Sequence, residues 1–363
     1  MPDPFERDVY CLLGLPFDAV DLDGAVRRVR DAARHRQSCF FSTPNLNFVV
    51  ASLADEDFRR SVVYSDLSFA DGMPLVWIAR LFGIPIRERT AGSNLFDSLR
   101  DSPGKQLSVF FFGGPDGVAE AACRRLSLED KGLTCVGYES PGFGSIEEMS
   151  SEAVVRRIND SQADFLVVSL GARKGQAWIE LNRPRLTVPV ISHLGAVLNF
   201  VAGTAKRAPA WMQRTGLEWI WRIKEEPALW RRYLADGIEF FALLATRVLP
   251  YAWYLMRHAP AADQLAAAAL EARDEEQIYV IRLRGAWTRA NIAPLRDCFA
   301  KAVLGEKDVT LDMAGVTYVD SAFVGLAILL QGYQSRRGRR LLVVSLQDPV
   351  RRVIGYCCAD YLC

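Results

Sequence analysis

The chain has 363 residues, 50% of them hydrophobic and 24% charged, which is long enough for two domains and apolar enough to bury a core. A formal net charge of +1 argues against a protein that coats nucleic acid, because such proteins carry a large excess of basic residues. The N-terminal stretch MPDPFERDVY has no basic and apolar leader, so secretion is not expected and a cytoplasmic location is predicted.

The eight cysteines form no CxxC pair, and none lies near one of the three histidines at the spacing of metal ligands. In a chain without a signal peptide they are expected to be reduced thiols that pack in the core. No metal site is predicted, and with so few histidines catalysis is expected to depend on carboxylates.

Strands and helices alternate through the first two-thirds of the chain. Apolar runs predict strands at 38–43, 67–70, 107–113, 133–138, 164–171 and 188–195, with helical stretches between them. Several runs are continuous rather than alternating, which is typical of strands covered on both faces. The order predicts an α/β fold over residues 1–203, with a mainly parallel, Rossmann-like sheet and helices on both faces.

Small and polar residues follow the predicted strands, where parallel sheets bind their ligands. Asp71-Gly72 comes directly after one strand, and it is either a tight turn or the position of a catalytic base. The other candidates for a ligand pocket are Thr43, Asn45, Asn47, Arg89, Gly92, Gly113, Gly114, Gly171, Lys174, Gln176 and Gly195. Each turn also has a structural interpretation, such as a helix cap at Asn45, but four polar turns on one sheet favour a nucleotide-sugar pocket.

The composition changes over residues 204–257. Arginines alternate with tryptophans first, and a strongly apolar stretch follows at 237–256, interrupted by Glu239, Arg247 and Pro250. Its longest uncharged run is far shorter than the ~20 residues of a membrane-spanning helix. The segment is therefore either a helix buried against the first domain or an appendage that lies in the membrane interface, with aromatic and arginine side chains at headgroup level.

Residues 258–277 are rich in alanine and charge and predict a linker or a short exposed helix. From residue 278 to 363 a second α/β pattern follows, which predicts a smaller, separate C-terminal domain.

Several ordered motifs in residues 8–245 resemble the WecG/TagA/CpsF family of bacterial glycosyltransferases (family 26). The family's Thr-x-Asn, Asp-Gly, Arg-x-x-Gly and Gly-Gly motifs are matched at 43–45, 71–72, 89–92 and 113–114. HLGAVLNFVAGTAKRAPAWMQRTGLEW is close to a later family signature. The chain departs at 171–176, where many members read Gly-x-Pro-Lys-Gln-Glu and this one reads Gly-Ala-Arg-Lys-Gly-Gln. The changed residues, Gly175 and Gln176, leave open which donor sugar is recognised.

The resemblance implies an inverting, metal-independent transferase without a cofactor, which moves a hexose-type sugar from a UDP-sugar to a polyprenyl-diphosphate-linked acceptor. It implies that Asp71 is the base, and that Arg89, Lys174 and Arg207 meet the charge of the leaving UDP. It also implies a peripheral location at the inner membrane and a role in exopolysaccharide or surface-polymer synthesis. The appendage arginines Arg214, Arg222, Arg231 and Arg232 loosely match the family segment that closes the site at the membrane.

The C-terminal domain resembles the STAS domain of anti-sigma-factor antagonists and sulfate transporters. The stretch VTLDMAGVTYVDSAFVGLAILL places Asp320-Ser321 where antagonists carry an Asp-Ser at a helix start. The resemblance implies that Ser321 is a regulatory phosphorylation site for a kinase, or that this domain binds a protein partner. Ser321 as an ordinary helix cap is an equally good interpretation of the sequence alone.

Two functions therefore compete. The first is the glycosyltransferase, and the alternative is a non-enzymatic partner-switch protein that senses a UDP-sugar and signals through the STAS domain. A dinucleotide oxidoreductase is disfavoured because the chain lacks a GxGxxG turn with a downstream acid.

Overall fold

The computed structural model describes residues 4–363, so the first three residues of the predicted domain 1–203 lie outside it. The strands are β1 Val9–Leu12, β2 Leu15–Asp18, β3 Cys39–Ser42, β4 Leu67–Ser68, β5 Leu107–Gly113, β6 Leu133–Glu139, β7 Phe165–Ser169, β8 Val190–His193, β9 Ala269–Asp274, β10 Ile278–Trp287, β11 Asp308–Val319 and β12 Leu341–Val344. The helices are α1 Leu22–Arg34, α2 Leu46–Ala54, α3 Glu56–Val63, α4 Met73–Leu81, α5 Gly92–Asp101, α6 Val118–Ser127, α7 Glu152–Asp160, α8 Ala172–Asn182, α9 Val197–Ala202, α10 Ala210–Arg214, α11 Glu218–Glu225, α12 Trp230–Leu243, α13 Leu249–His258, α14 Ala262–Ala266, α15 Ala293–Ala302, α16 Ser321–Arg336 and α17 Asp348–Tyr356.

The first sheet has six strands in the order β4-β3-β8-β7-β5-β6, and all of its pairings are parallel. The predicted parallel α/β fold is confirmed, and each of the six predicted strands is present. Neighbouring side chains of one strand, such as Phe110 and Phe111, pack into different core clusters because they point to opposite faces. Helices therefore cover both faces of this sheet.

A hairpin of β1 and β2 precedes this sheet and was not expected from the sequence. All eight of its strand residues are buried, so the run VYCLLGLPFD shows no alternation of apolar and polar residues. Both faces are covered because one packs on the first domain and the other on α16 of the second domain. A strand with one exposed face alternates apolar and polar residues, and this pattern normally identifies it. A hairpin covered on both faces lacks the alternation.

The second sheet has the order β12-β11-β10-β9, with β9 antiparallel to β10 and the other pairings parallel. Residues 258–277 were predicted as a linker or a short exposed helix; α14 is such a helix, but the linker interpretation needs correction because β9 forms an edge strand after it. β9 was missed since its sequence, ALEARD, has low strand propensity and most of its residues are exposed.

The two domains share one apolar core rather than meeting through a flexible joint. The hydroxyl of Tyr361 donates a 2.7 Å hydrogen bond to the carbonyl of Gly14, whose own amide donates to the Cys357 carbonyl at 2.6 Å. An ion pair of 3.3 Å joins Arg296 to Asp8 at the rim. The C-terminal domain is thus fixed against the hairpin.

The helical segment α12–α13 is continuous through a π-helical turn at Leu244–Val248, and one of its two faces is buried as the first interpretation of residues 204–257 expected. Its inner face buries Leu243, Val248, Tyr251 and Tyr254 in the shared core. Its outer face exposes Trp230, Leu234, Ile238, Phe241, Leu249, Trp253 and Met256, which we call the outer stripe. Within residues 4–363, no helix is both long and apolar enough to cross a membrane.

The prediction that every cysteine is a reduced thiol is wrong for one pair. Cys123 on α6 and Cys135 on β6 form a disulfide, with their Cα atoms 5.1 Å apart. The spacing of these residues in the sequence does not show that α6 packs directly on β6, and this packing is what brings the two sulfur atoms together.

Candidate active site

The carboxyl ends of the parallel strands form one edge of the first sheet. In the order of the strands, this edge presents Asp71, Thr43, Gly195, Gly171 and Gly113. Since adjacent strands lie ~4.8 Å apart, the edge extends over roughly 19 Å from the first to the last of these residues. The sequence-predicted turns therefore lie along one extended surface rather than at a single point.

Asp71 lies at the end of this edge, where its backbone amide donates a 2.9 Å hydrogen bond to the Pro44 carbonyl. The next residue, Gly72, precedes α4 with a φ of 146°, which a residue with a side chain rarely adopts. A Cβ added to Gly92 would lie 3.2 Å from Thr43 Oγ1, so the start of α5 packs directly on this threonine. Thr43, Asp71 and Gly92 thus meet, and the turn and base interpretations of Asp71-Gly72 are compatible.

Asp71 is electrostatically poised for proton transfer. Burial raises the pKa of its carboxyl to about 6, although the nearby Arg89 opposes this shift. The carboxylate of Glu218, on α11, raises the same pKa and forms an ion pair with Arg89. Arg89 therefore lies between two carboxylates, and Asp71 is ionised at neutral pH but is a stronger base than an exposed aspartate.

The glycines along the edge serve two purposes. Gly113 and Gly114 have φ values of 105° and 80°, and a Cβ on Gly113 would lie 2.6 Å from the Ser169 carbonyl oxygen. At Gly171, which precedes α8, a Cβ would meet nothing within 4 Å, so this backbone is open to a ligand. Ser169 holds the neighbouring turn by donating a 2.8 Å hydrogen bond to the Gly195 carbonyl.

Several predicted binding residues make contacts within the protein, among them Asn45, Lys174 and Arg207. Asn45 caps α2 through a 3.1 Å hydrogen bond from the Phe48 amide, as its structural interpretation proposed. The Lys174 ammonium donates to the Gly144 carbonyl. Arg207 donates to Asp97 and to the Ser93 hydroxyl, which ties the segment after α9 to the start of α5.

The placement of Gln176 corrects the prediction that it binds substrate. Its side chain is buried, with 1% of its surface exposed, and donates a 2.9 Å hydrogen bond to the Ser42 hydroxyl in the sheet interior. Gln176 belongs to the helical face of α8 that also buries Gly175, Trp178 and Ile179. Gln176 follows Lys174 by two residues in this helix, so the two side chains are roughly 200° apart around the axis and do not share a face.

The unusual Gly175 is explained by His193, which was not predicted as a site residue. A Cβ on Gly175 would lie 2.2 Å from His193 Cδ2, so glycine makes room for this ring. His193 Nε2 donates to the Leu170 carbonyl, and burial lowers the pKa of the imidazole, which keeps it neutral. The histidine thereby holds the strand end that leads to Gly171.

We therefore expect Gly175→Ala to lower the free energy of unfolding by about 1–3 kcal/mol, as overpacked cores do. The added methyl group would overlap the ring of His193. The measurement is urea denaturation, with Gly171→Ala as the control because its Cβ would lie in open space. A second change, His193→Ala, should restore part of the lost stability; a double variant no more stable than Gly175→Ala would contradict this explanation.

The four appendage arginines lie on three different helices, α10, α11 and α12. Arg231 and Arg232 are exposed on α12, and each lies against an aromatic ring, that of Trp230 or Tyr233. Arg222 pairs with Glu226 at 3.5 Å, and Arg214 is exposed at the end of α10. Of the four, Arg231 and Arg232 adjoin the outer stripe on α12.

Ser321 is not accessible in this structure. It begins α16 with 4% of its surface exposed, and Asp320 caps this helix by accepting hydrogen bonds from the amides of Ala322 and Phe323. This corrects both interpretations of Ser321, because the cap is its neighbour and a kinase could reach the hydroxyl only if the surrounding structure opened.

Two carboxylates near the site were also missed. Glu218 belongs to the GLEW motif, which was noted as a family feature, but its contact with Arg89 spans 129 residues of sequence. Asp236 lies within an apolar helix and contacts Asn47. In each case the sequence shows a charged residue within an aromatic or apolar run. It does not show which distant residue that charge contacts.

A buried carboxylate beside an arginine, together with open glycine turns at the carboxyl ends of parallel strands, is typical of an α/β group-transfer enzyme. Residues 10–252 match the glycosyl transferase WecG/TagA/CpsF family, and the chain belongs to this family. Residues 268–358 match the family described as Mlab, STAS domain.

Curated proteins similar to this chain include several N-acetylglucosaminyldiphosphoundecaprenol N-acetyl-beta-D-mannosaminyltransferases. The protein of Bacillus spizizenii is 28% identical over 200 residues, 55% of this chain and 76% of that protein. The Bacillus subtilis protein is 27% identical over 53% of this chain and 74% of its own length. The Staphylococcus aureus (strain MW2) protein is 25% identical over 61% of this chain and 85% of its own length.

Proposed function

We propose that this protein is an inverting, metal-independent glycosyltransferase. It moves a hexose-type sugar from a UDP-sugar to a polyprenyl-diphosphate-linked saccharide during synthesis of a bacterial surface polymer. The observation that carries the proposal is Asp71, whose pKa of about 6 and position beside Arg89 suit a general base. The names of the relatives support an undecaprenyl-diphosphate-linked acceptor.

In this mechanism the acceptor hydroxyl lies against Asp71 and loses its proton as its oxygen attacks the anomeric carbon. The bond from this carbon to the UDP oxygen breaks on the opposite face, which inverts the configuration. Negative charge then develops on UDP and is met by the open backbone at Gly171 and by Arg89. No step uses a metal ion or a cofactor.

The outer stripe is the proposed contact with the inner leaflet of the membrane. Large apolar side chains on one helical face, bordered by exposed Arg231, Arg232 and Arg257, match the chemistry of an anionic lipid surface. A lipid-linked acceptor requires the enzyme to work at that surface. The protein is thus proposed to be cytoplasmic and peripheral.

The donor is tested by incubating the purified protein with a set of UDP-hexoses and their N-acetylated forms, together with a lipid-diphosphate-linked acceptor. We expect UDP release with at least one donor, and only when the acceptor is present. A UDP-sugar sensor would bind a donor but release no UDP, so this outcome would reject the transferase in favour of the alternative function.

The membrane contact is tested with the double variant Phe241→Glu/Trp253→Glu. Each of these side chains is more than half exposed in the outer stripe. Losing the transfer of two large side chains into lipid, at about 1.5–3 kcal/mol each, should weaken binding to anionic vesicles at least ~10-fold. Phe143→Glu/Leu128→Glu is the control, because these side chains are exposed elsewhere. Equal weakening in both variants would reject the outer stripe as the contact.

A further inference from the structure

The disulfide between Cys123 and Cys135 joins α6 to β6 at one side of the first sheet. β6 is the outermost strand of that sheet, and both bonded cysteines are only half-buried. Four of the free cysteines are instead buried, namely Cys11, Cys39, Cys298 and Cys357. The bonded pair is therefore more accessible to a reagent in solution than these four thiols are.

A disulfide is unusual at the cytoplasmic location proposed for this protein. Thiol systems keep most cytoplasmic cysteines reduced, and the disulfides that form there are usually transient and redox-sensing. In the reduction, a thiolate of a cellular dithiol attacks one sulfur atom, a mixed disulfide forms, and the second thiol of the reductant resolves it. Cys123 and Cys135 gain two electrons and two protons and become thiols, and the reductant leaves as a disulfide.

The helix α6 depends on this bond because its own apolar contacts are small. The residues that it buries are Ala119, Ala122 and Leu126, so two of the three contribute only a methyl group. Ser127 also donates a 3.4 Å hydrogen bond to the Cys135 carbonyl, in a position exposed to water. A disulfide that spans 12 residues of sequence restrains the helix more than contacts of this size do.

The position of α6 affects the glycine turn after β5, which is part of the candidate active site. The Gly114 amide donates a 2.9 Å hydrogen bond to the Ser169 carbonyl, and a Cβ on Gly114 would overlap Leu198 Cδ2 of α9. At the other end of α9, Arg125 of α6 donates a 3.1 Å hydrogen bond to the Ala202 carbonyl. A shift of α6 would therefore act on the turns that follow both β5 and β8.

We propose that Cys123 and Cys135 are a redox-active pair whose oxidation fixes α6 and the Gly113-Gly114 turn and thereby tightens binding of the nucleoside diphosphate donor. This inference rests on the proposed function for the identity of that ligand. Reduction releases α6, and the donor must then order the turn as it binds, which costs part of its affinity. The pair is a modification site that responds to the thiol–disulfide balance of the cell.

The first test measures the reactivity of the pair in the full chain, without any sugar. Treatment with reduced dithiothreitol, then alkylation and mass spectrometry, should label Cys123 and Cys135 in the folded protein and leave the buried Cys11 and Cys39 unlabelled. Hydrogen exchange at the amides of residues 113–122 should be at least about threefold faster in the reduced protein. A bond that opens only when the chain unfolds, or equal exchange in both states, would overturn the proposal.

The second test titrates UDP into the oxidised and the reduced protein. We expect the dissociation constant of UDP to rise at least about threefold on reduction. Cys123→Ser/Cys135→Ser should bind UDP like the reduced protein in either buffer, because it cannot form the bond. Cys363→Ser removes an exposed free cysteine and is the matched control, which should respond like the unaltered protein.

The outcomes of these tests are separable from a failure of the proposed function. Equal UDP affinity in the two redox states would overturn the coupling and leave the proposed donor standing. Absence of UDP binding in both states would reject the proposed donor, and with it the effect on donor binding. None of the measurements requires that sugar transfer be observed.

Discussion

Replacing Asp71 by asparagine is expected to lower kcat about 10²–10⁴-fold, which is the usual contribution of a general base. The amide has nearly the same shape as the carboxylate but cannot accept the proton of the acceptor hydroxyl. Donor affinity should change by less than about threefold, because the lost interaction is made mainly in the transition state. The measurements are UDP release at saturating acceptor and titration of the protein with the donor.

Asp116→Asn is the matched control, since Asp116 is an exposed aspartate in the glycine turn after β5 on the same edge of the sheet. It should leave kcat nearly unchanged. If both variants kept near-normal turnover, Asp71 would not be the base. Another group would then have to accept the proton.

The pH dependence follows from the same residue. Because the pKa of Asp71 is about 6 and the base must be ionised, kcat/KM should be constant above this pH and fall about tenfold per unit below it. The folded pKa exceeds that of the unfolded chain, so ionised Asp71 lowers stability progressively from about pH 4 up to about pH 6. Asp71→Asn should therefore be at least as stable as the unaltered protein at pH 8.

The sequence predicts the parallel sheet well because its signal is local. The strand 107–113 is a continuous apolar run, and the structure has it at the same residues. The Asp71-Gly72 turn could also be predicted from the sequence, because the positive φ of Gly72 and the end of the strand are properties of adjacent residues.

The contacts that set the charge and position of the site residues could not be predicted, because they join residues far apart in the sequence. Glu218 reaches Arg89, and Asp236 reaches Asn47, only after the helices following residue 204 fold back over the sheet. A sequence pattern shows that a charge lies in an apolar helix but does not show which residue neutralises it. Gln176 illustrates the converse, since its polar side chain suggested a ligand and instead binds Ser42 in the interior.

The relation between the domains was missed although one signal for it was present. The helix α16, SAFVGLAILLQGYQSR, is apolar around most of its circumference, and twelve of its residues are buried. A helix of this kind needs cover on all sides, whereas a helix on the surface of an independent domain has a polar face. The first domain supplies this cover through the β1–β2 hairpin and α3, so the STAS domain is part of the same structural unit.

Gly325→Ala is the second large effect that we expect, here on stability. A Cβ at this position of α16 would lie 2.9 Å from the carbonyl carbon of Tyr10 and 3.0 Å from the amide nitrogen of Cys11, both in the backbone of the hairpin. Backbone atoms cannot rotate away as a side chain can, so α16 and the hairpin must separate. We expect the free energy of unfolding to fall by about 1–3 kcal/mol, measured by urea denaturation.

Gly237→Ala is the control because Gly237 also lies within a helix but a Cβ there would meet nothing within 4 Å. It should be neutral or stabilising by up to about 1 kcal/mol, the difference in helix propensity between the two residues. Since the domains share a core, Gly325→Ala should lower the stability of the donor-binding domain as well, in a single transition seen by tryptophan fluorescence and by loss of donor binding. Two separate transitions, with donor binding retained after the STAS domain unfolds, would show that the catalytic domain does not need its C-terminal partner.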